Sequence, residues 1–132
     1  MPWTMAPPSP FRVLVVEDDP GLRQFTHEWL EDAGYETRSA ENGAEALGAL
    51  PWNPDLILLD LAMPGRDGVD VCREVRRTSD IPIMFLSTNG DLEDVQKAYN
   101  AGADEYLVIP YDPIVLEAKV ERLASAVTQP AL

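Results

Sequence analysis

The chain has 132 residues, of which 23 are acidic and 10 basic, and its formal net charge is −13. This length fits one domain with one core, and the negative charge would repel a phosphate backbone, so we expect no direct nucleic-acid binding. The single cysteine, Cys72, excludes an internal disulfide, and no apolar run approaches the roughly 20 residues of a membrane span. A cytoplasmic domain without membrane contact is therefore predicted.

The composition divides the chain into three parts. Residues 1–10 are rich in proline and carry no charged side chain, which predicts a flexible extension. Residues 11–127 have the apolar patterning of a folded domain. Residues 128–132 are predicted to be a tail, or a stub of a linker to a further domain.

Apolar runs predict the strands in chain order. Four runs are continuous rather than alternating, as in strands buried on both faces, at residues 13–16, 56–59, 83–86 and 106–109. Residues 35–40 are more polar and predict an edge strand. Helical spacing predicts five helices, near residues 22–33, 44–50, 69–75, 92–99 and 116–127. Such alternation predicts a doubly wound α/β fold with a parallel sheet and helices on both faces.

Carboxylates follow two of the predicted central strands. Glu17, Asp18 and Asp19 come after the first strand, and Asp60 comes after the third. The carboxyl ends of parallel strands meet at one edge of a sheet, so these side chains should converge there. Converging carboxylates without a thiol or imidazole favour Mg²⁺ over Zn²⁺, and an aspartate beside Mg²⁺ can attack a phosphoryl group. Asp60 is the candidate nucleophile.

Three motifs occur in a characteristic order. They are VLVVEDD at residues 13–19, DLILLDLAMPGRDG at residues 55–68 and GADEYLVIPY at residues 102–111, with Ser87 between the last two. Over residues 11–127 the chain resembles the response-regulator receiver family of two-component signal transduction. The resemblance implies a CheY-like, flavodoxin-like (βα)5 fold with strand order 2-1-3-4-5.

The resemblance also implies roles for individual residues. Asp60 would be the phosphorylated aspartate, with Met63 and Pro64 as companions of its motif, and Ser87 would hydrogen-bond the phosphoryl group, although adjacent Thr88 is an alternative. Tyr106 would be the aromatic residue that changes rotamer on activation. The implied ligands of Mg²⁺ are Asp18, Asp60 and the backbone carbonyl of Ala62, with Glu17 acting mainly through water.

The chain departs from the family pattern at one position. The family usually has a lysine before the proline that corresponds to Pro110, a proline that often follows a cis peptide bond, and this chain has Ile109. Lys97 and Lys119, its two lysines, fall in predicted helices. A phosphoryl group on Asp60 would lack an ammonium partner, so we expect phosphorylation with an atypical conformational readout.

The function implied is acceptance of a phosphoryl group from a sensor histidine kinase or phosphotransfer protein, followed by contact with a downstream protein partner. The fourth helix, fifth strand and fifth helix could support a homodimer or such docking. A switch that modifies only itself is not an enzyme in the usual sense. A phosphorylation-independent interaction module is the alternative function. A phosphatase that uses an aspartate nucleophile is less favoured, because Ala62 stands where a second aspartate is common.

Overall fold

A computed structural model describes residues 10–63 and 67–128 of the chain. Three expectations fall at least partly elsewhere: residues 1–9 of the expected extension, Pro64 of the acceptor motif, and residues 129–132 of the expected tail lie outside the described residues. In the part of the chain that the structure describes, no helix has the length and apolar character to cross a membrane.

Strands and helices alternate along the described residues, as predicted. The strands are β1 (Arg12–Val16), β2 (Glu36–Ala40), β3 (Leu56–Asp60), β4 (Ile83–Ser87) and β5 (Glu105–Val108). The helices are α1 (Pro20–Asp32), α2 (Gly43–Gly48), α3 (Gly68–Arg76), α4 (Leu92–Ala101) and α5 (Pro113–Thr128). A short 3₁₀ helix, Leu50–Trp52, follows α2. Helix α5 thus includes Thr128, which we had expected in the tail.

The strands form one parallel sheet in the order β2-β1-β3-β4-β5, which confirms the implied topology. β2 lies at one edge, as its polar composition predicted, and β5 lies at the other. Strands that are consecutive in the chain are joined by a crossover that contains a helix, as parallel strands require. Helices α2, α3 and α4 cover one face of the sheet, and α1 and α5 cover the other.

Continuous apolar runs are explained by two cores, one on each face of the sheet. Along β1, Leu14 and Val16 pack with the buried residues of α2, α3 and α4, whereas Val13 and Val15 pack with those of α1 and α5. β3 and β4 alternate in the same way. Successive side chains of a strand point to opposite faces, so a strand buried on both faces needs apolar residues at every position.

The carboxyl edge of the sheet brings the polar strand ends together. Val16 pairs with Leu59 in the register of β1 and β3, so Glu17 and Asp60, the next residues along the chain, share this edge. Helix α1 begins here: Asp19 caps it by accepting a hydrogen bond from the Leu22 backbone N–H at 3.1 Å. Gly68 begins α3 against β3, and a Cβ there would lie 2.4 Å from the Asp60 carbonyl oxygen.

Candidate functional site

Three carboxylates converge at the carboxyl edge of the sheet. Glu17, Asp18 and Asp60 each offer an oxygen, and these three oxygens lie within 4.8 Å of one another. They line a pocket of about 270 Å³ whose other lining residues are Asp19, Leu22, Ala62, Thr88 and Ile109. The structure thus brings together the three carboxylates that the sequence analysis assigned to one site.

Burial and mutual hydrogen bonds give the three carboxyl groups different pKa values. Burial, followed by a hydrogen bond with Asp60, raises the pKa of Glu17 from 4.5 to about 9. Burial also raises the pKa of Asp60 from 3.8 to about 6. A hydrogen bond with Asp60 holds the pKa of Asp18, which is exposed, below its usual 3.8. Without a cation at neutral pH, therefore, Glu17 is protonated while Asp18 and most of Asp60 are ionised.

The cluster fits a hard divalent cation. When Glu17 is ionised, its buried Oε1 has no hydrogen-bond donor among the described residues, although Oε2 accepts a hydrogen bond from the Asp19 N–H at 3.1 Å. A buried carboxylate oxygen without a partner is costly, and a cation nearby would remove that cost. The nearby donors are carboxylates rather than thiols or imidazoles, which is the ligand chemistry of Mg²⁺.

The chain after β3 turns back over Asp60. Oxygen Oδ1 of Asp60 accepts a hydrogen bond from the Ala62 N–H at 3.1 Å, and the Leu61 carbonyl accepts one from the Gly68 N–H at 2.9 Å. Ala62 itself lines the pocket, as its implied role in metal binding requires. Oδ1 of Asp60 is thus engaged with the backbone, and the carboxyl group also shares hydrogen bonds with the side chains of Glu17 and Asp18.

The two hydroxyl candidates after Asp60 have different surroundings. Ser87, the last residue of β4, is buried, and its Oγ accepts a hydrogen bond from the Asn89 backbone N–H at 3.1 Å. Thr88 is exposed and lines the carboxylate pocket. Both residues are therefore at the edge of the sheet where Asp60 lies, and the role assigned to Ser87 stays a prediction.

Tyr106 lies in β5 with its ring buried. Its hydroxyl donates a hydrogen bond of 2.5 Å to the backbone carbonyl of Asn89, in the loop between β4 and α4. Ser87 and Tyr106 thus bind the backbone N–H and the carbonyl of the same residue. A change of rotamer at Tyr106 stays a prediction.

Ile109 lines the pocket at the position where the family has its lysine. The peptide bond between Ile109 and Pro110 is cis, as the resemblance implied. Both lysines of the chain form ion pairs outside this pocket: Lys97 pairs with Glu93 on α4, and Lys119 pairs with Glu105 on β5. Among the described residues that line the pocket, none is basic.

Three residues at this edge were given no role by the sequence analysis. Asp19 caps α1, and an aspartate followed by proline is a recognisable helix start. Arg23 donates a hydrogen bond to the Glu17 carbonyl at 2.8 Å, which follows from its position one turn into the same helix. Asn89 precedes a glycine and an aspartate, a turn signal that also marks the start of α4.

With this geometry established, comparison with known proteins identifies the family. The family described as "Response regulator receiver domain" matches residues 13–121. The chain belongs to the response-regulator receiver family. Phosphorylation and Mg²⁺ binding at an acidic pocket are general in this family, whose members are signalling domains and are not usually classed as enzymes.

Two relatives with curated names are similar over most of the chain. The transcriptional regulatory protein ResD of Bacillus subtilis is 39% identical over 119 residues, covering 89% of this chain and 50% of ResD. The DNA-binding response regulator MtrA of Mycolicibacterium smegmatis is 41% identical over 122 residues, covering 91% of this chain and 54% of MtrA. This chain thus spans about half the length of these relatives.

These names correct one expectation. We expected no direct nucleic-acid binding from the net charge, and the names of similar regulators contradict this, because MtrA is named as a DNA-binding protein. The physical reason is that the charge of a receiver describes the receiver alone. It gives no information on a basic surface elsewhere in a longer regulator.

Solved structures agree with the fold. The chemotaxis protein CheY4 of Vibrio cholerae superposes with a TM-score of 0.81 at 34% identity, covering 85% of this chain and 97% of that one. Agreement over nearly the whole of CheY4 confirms the CheY-like, flavodoxin-like fold.

Proposed function

We propose that this chain accepts a phosphoryl group on Asp60, from the phosphohistidine of a sensor histidine kinase or phosphotransfer protein, in a reaction that needs Mg²⁺. The observation that carries the proposal is the convergence of Glu17, Asp18 and Asp60 within 4.8 Å around a pocket at the carboxyl edge of the sheet. A structural role does not require three adjacent carboxylates, because their mutual repulsion destabilises the fold.

The proposed bond changes start at Oδ2 of Asp60, the oxygen that does not accept from the Ala62 N–H. Oxygen Oδ2 attacks phosphorus, the bond from phosphorus to the donor imidazole nitrogen breaks, and the imidazole takes up a proton as it leaves. The Ala62 N–H, which donates to Oδ1, fixes the plane of the carboxylate during the attack. Bound Mg²⁺ would supply neutralisation of the charge on the transferring phosphoryl oxygens.

The residues proposed to hold Mg²⁺ are Asp18, Asp60 and the carbonyl of Ala62, with Glu17 acting through water. Asp18 is ionised at neutral pH and exposed, so it is ready to bind a cation from solution. Glu17 must lose its proton for full charge complementarity, and its Oε1, which then has no hydrogen-bond donor among the described residues, is the oxygen available for that contact. Ser87, with Thr88 as the alternative, would donate a hydrogen bond to the phosphoryl group.

Ile109 makes the readout atypical. With an apolar side chain at this place, no lysine lies among the described residues that line the pocket, and the charge of the product would depend on Mg²⁺ and hydroxyl donors. We propose that phosphorylation persists and that its coupling to β5 and α4 passes through Ser87 and Tyr106 alone.

The proposed output of the phosphorylated receiver is based on the longer relatives. In a regulator of the kind that MtrA represents, phosphorylation of the receiver would control the binding of DNA by another region of the same protein. Residues 11–127 form the receiver in this proposal.

Intact mass after incubation with acetyl phosphate and Mg²⁺ tests the proposal. The native chain should gain one phosphoryl group, and Asp60→Asn or omission of Mg²⁺ should abolish the gain. Asp80→Asn is the matched control, because Asp80 is exposed and lies before β4 at the opposite edge of the sheet. This variant should be modified as the native chain is.

Ile109 also favours a second candidate, a module that binds its partner without phosphorylation. The same experiment separates the two functions. Absence of an adduct under conditions that modify CheY4 would refute phosphoryl acceptance and support the module. In that case Ile109→Lys should be examined next, because a gain of modification would identify this position as the cause.

A further inference from the structure

The side chains of Ser39, His27 and Glu31 are joined by two hydrogen bonds on the surface between β2 and α1. The Oγ atom of Ser39 lies 2.7 Å from Nδ1 of His27, and Nε2 of His27 lies 2.7 Å from Oε1 of Glu31. Ser39 and Glu31 are exposed, and His27 is half-buried. None of the three is among the described residues that line the carboxylate pocket. They form a second group of reactive side chains, separate from the one around Asp60.

The fold places the hydroxyl and the imidazole on the same face of the sheet. Ala40, the next residue of β2, packs in the core that contains residues of α2 and α3, so the side chain of Ser39 points to the opposite face. Helix α1 covers that face, and its Leu30 packs in the core there. Glu31 follows His27 by one helical turn, so its carboxylate reaches the ring nitrogen that Ser39 does not contact.

The carboxylate of Glu31 determines the direction of both hydrogen bonds. An ionised carboxylate only accepts, so Nε2 of the neutral imidazole carries the hydrogen and donates it. Nδ1 is then unprotonated and accepts the hydrogen bond that the Ser39 hydroxyl donates. A hydroxyl that donates to an imidazole, which a carboxylate in turn orients, is the arrangement that activates a serine nucleophile.

The outer edge of β2 supplies a hydrogen-bond donor for the charge that such a reaction develops. The Glu36 N–H donates to the Phe11 carbonyl. The Ala40 carbonyl accepts from the Glu17 N–H, so both of these β2 residues direct backbone groups toward the β1 side. Backbone groups alternate in direction along a strand, so the N–H of Ser39 points to the outer edge. It lies beside Oγ of the same residue, where the oxyanion of a tetrahedral adduct would form.

We propose that Ser39 is a nucleophilic serine that accepts acyl groups from small, neutral acyl esters. Its Oγ attacks the acyl carbon, and its proton passes to Nδ1 of His27. The bond from the acyl carbon to the leaving oxygen breaks, and the proton passes from His27 to that oxygen. Water then hydrolyses the acyl ester and regenerates Ser39. Glu31 is a positioning residue, because it acts through the imidazole.

The charge around Ser39 selects the class of acyl donor. The carboxylate of Glu31 belongs to the site, and the chain has a net charge of −13. Anionic donors such as acetyl phosphate are repelled by this charge, whereas a neutral ester is not. The exposed position of Ser39 suits a small donor that needs no deep pocket. Ser39 therefore differs from Asp60 both in the group that it accepts and in the charge of the donor.

Incubation with excess p-nitrophenyl acetate in EDTA tests the proposal. Release of p-nitrophenolate gives the rate of turnover, and tandem mass spectrometry of peptides locates the acetyl group. The native chain should carry an acetyl ester on Ser39, and Ser39→Ala and His27→Gln should each lower the turnover at least about tenfold. Ser79→Ala is the control and should retain the native rate, because the Ser79 hydroxyl accepts from the Ile81 N–H and the imidazole is bound to Ser39.

A spectroscopic measurement separates a positioning role of Glu31 from a structural one. His27 is the single histidine of the chain, so its ring signals are unambiguous. Long-range ¹H–¹⁵N spectra show which ring nitrogen carries the hydrogen, and in the native neutral ring this should be Nε2. Glu31→Ala should lower both the fraction of this tautomer and the rate of turnover, with an unchanged circular dichroism spectrum.

Turnover by Ser39→Ala at the native rate would overturn the proposal, because the imidazole alone or the amines would then carry the reaction. Acetylation confined to amines would also overturn it, as would a neutral native ring with its hydrogen on Nδ1. Replacing EDTA with Mg²⁺ should leave the turnover unchanged. A turnover that required Mg²⁺ would assign the reaction to the carboxylate pocket and would contradict a separate site at Ser39.

Discussion

The acidic cluster should make the protein less stable without metal as the pH rises, and Asp60→Asn should relieve this. The folded-state pKa of Asp60 is raised from 3.8 to about 6, and that of Glu17 from 4.5 to about 9. An acid with a raised folded pKa stabilises the fold fully below its unfolded pKa. That contribution is lost as the pH rises through the folded value. The window of loss therefore runs from about pH 4 to about pH 9.

The magnitude at Asp60 follows from its pKa. Each pH unit between the folded and unfolded values corresponds to 1.36 kcal/mol, so ionising Asp60 costs about 3 kcal/mol at pH 7. Asp60→Asn keeps an oxygen to accept from the Ala62 N–H and removes the charge. We expect the variant to be more stable than the native chain by about 3 kcal/mol at pH 7, and by under about 1 kcal/mol at pH 4.

Urea unfolding followed by circular dichroism, in EDTA at pH 4 and pH 7, measures this difference. Asp80→Asn should change the stability little at either pH, since Asp80 is exposed and far from the cluster. Mg²⁺ should stabilise the native chain and should have a smaller effect on Asp60→Asn. The absence of a gain in Asp60→Asn at pH 7, or an equal gain at pH 4 and pH 7, would refute the electrostatic reasoning.

Three further perturbations test the surroundings of the site. Gly68→Ala should destabilise the fold by at least about 2 kcal/mol in urea unfolding, because the added Cβ would lie 2.4 Å from the backbone carbonyl oxygen of Asp60. Gly48→Ala is the control and should not destabilise the fold, because no atom lies within 4 Å of a Cβ at that position. Arg76→Ala removes bonds to the Gly102 and Ile81 carbonyls and should cost about 2 kcal/mol in the same assay, whereas Arg77→Ala, an exposed neighbour, should cost little. Ile109→Lys places an ammonium beside the carboxylates and should weaken Mg²⁺ binding several-fold by calorimetry; unchanged affinity would contradict the placement of this residue in the pocket.

Much of the fold could be predicted because its cause is visible in the sequence. Uninterrupted apolar runs at β1, β3 and β4 reflect burial on both faces, and the polar run at β2 reflects an edge. The errors lie at element ends. Glu105 was left out of β5, because a carboxylate argues against a buried strand unless it has partners. Its partners Lys119 and Arg122 come from α5 through tertiary contact.

The second helix shows a missed local signal. It was predicted over residues 44–50, yet α2 ends at Gly48 and the chain tightens into the 3₁₀ helix. Pro51 lies in that 3₁₀ helix, and a residue before proline is disfavoured in α-helical geometry. Attention to Pro51 would have shortened the predicted helix.

The candidate site also could be predicted from the sequence only in part. Convergence of Glu17, Asp18 and Asp60 could be predicted, because the rule for parallel sheets brings strand ends to one edge. The bonds of Asn89 could not be predicted, because they join a loop to β5 and α4 at distances that sequence spacing does not give. The raised pKa of Glu17 likewise depends on burial, which only the folded structure provides.

The central claim is that the phosphoryl group is carried by Asp60. Borohydride reduction converts an aspartyl phosphate to homoserine, and tandem mass spectrometry of peptides then locates the modified residue directly. After treatment with acetyl phosphate and Mg²⁺, we expect homoserine at position 60 and none when EDTA replaces Mg²⁺. Homoserine at another aspartate, or at no position while CheY4 is modified in parallel, would contradict the account.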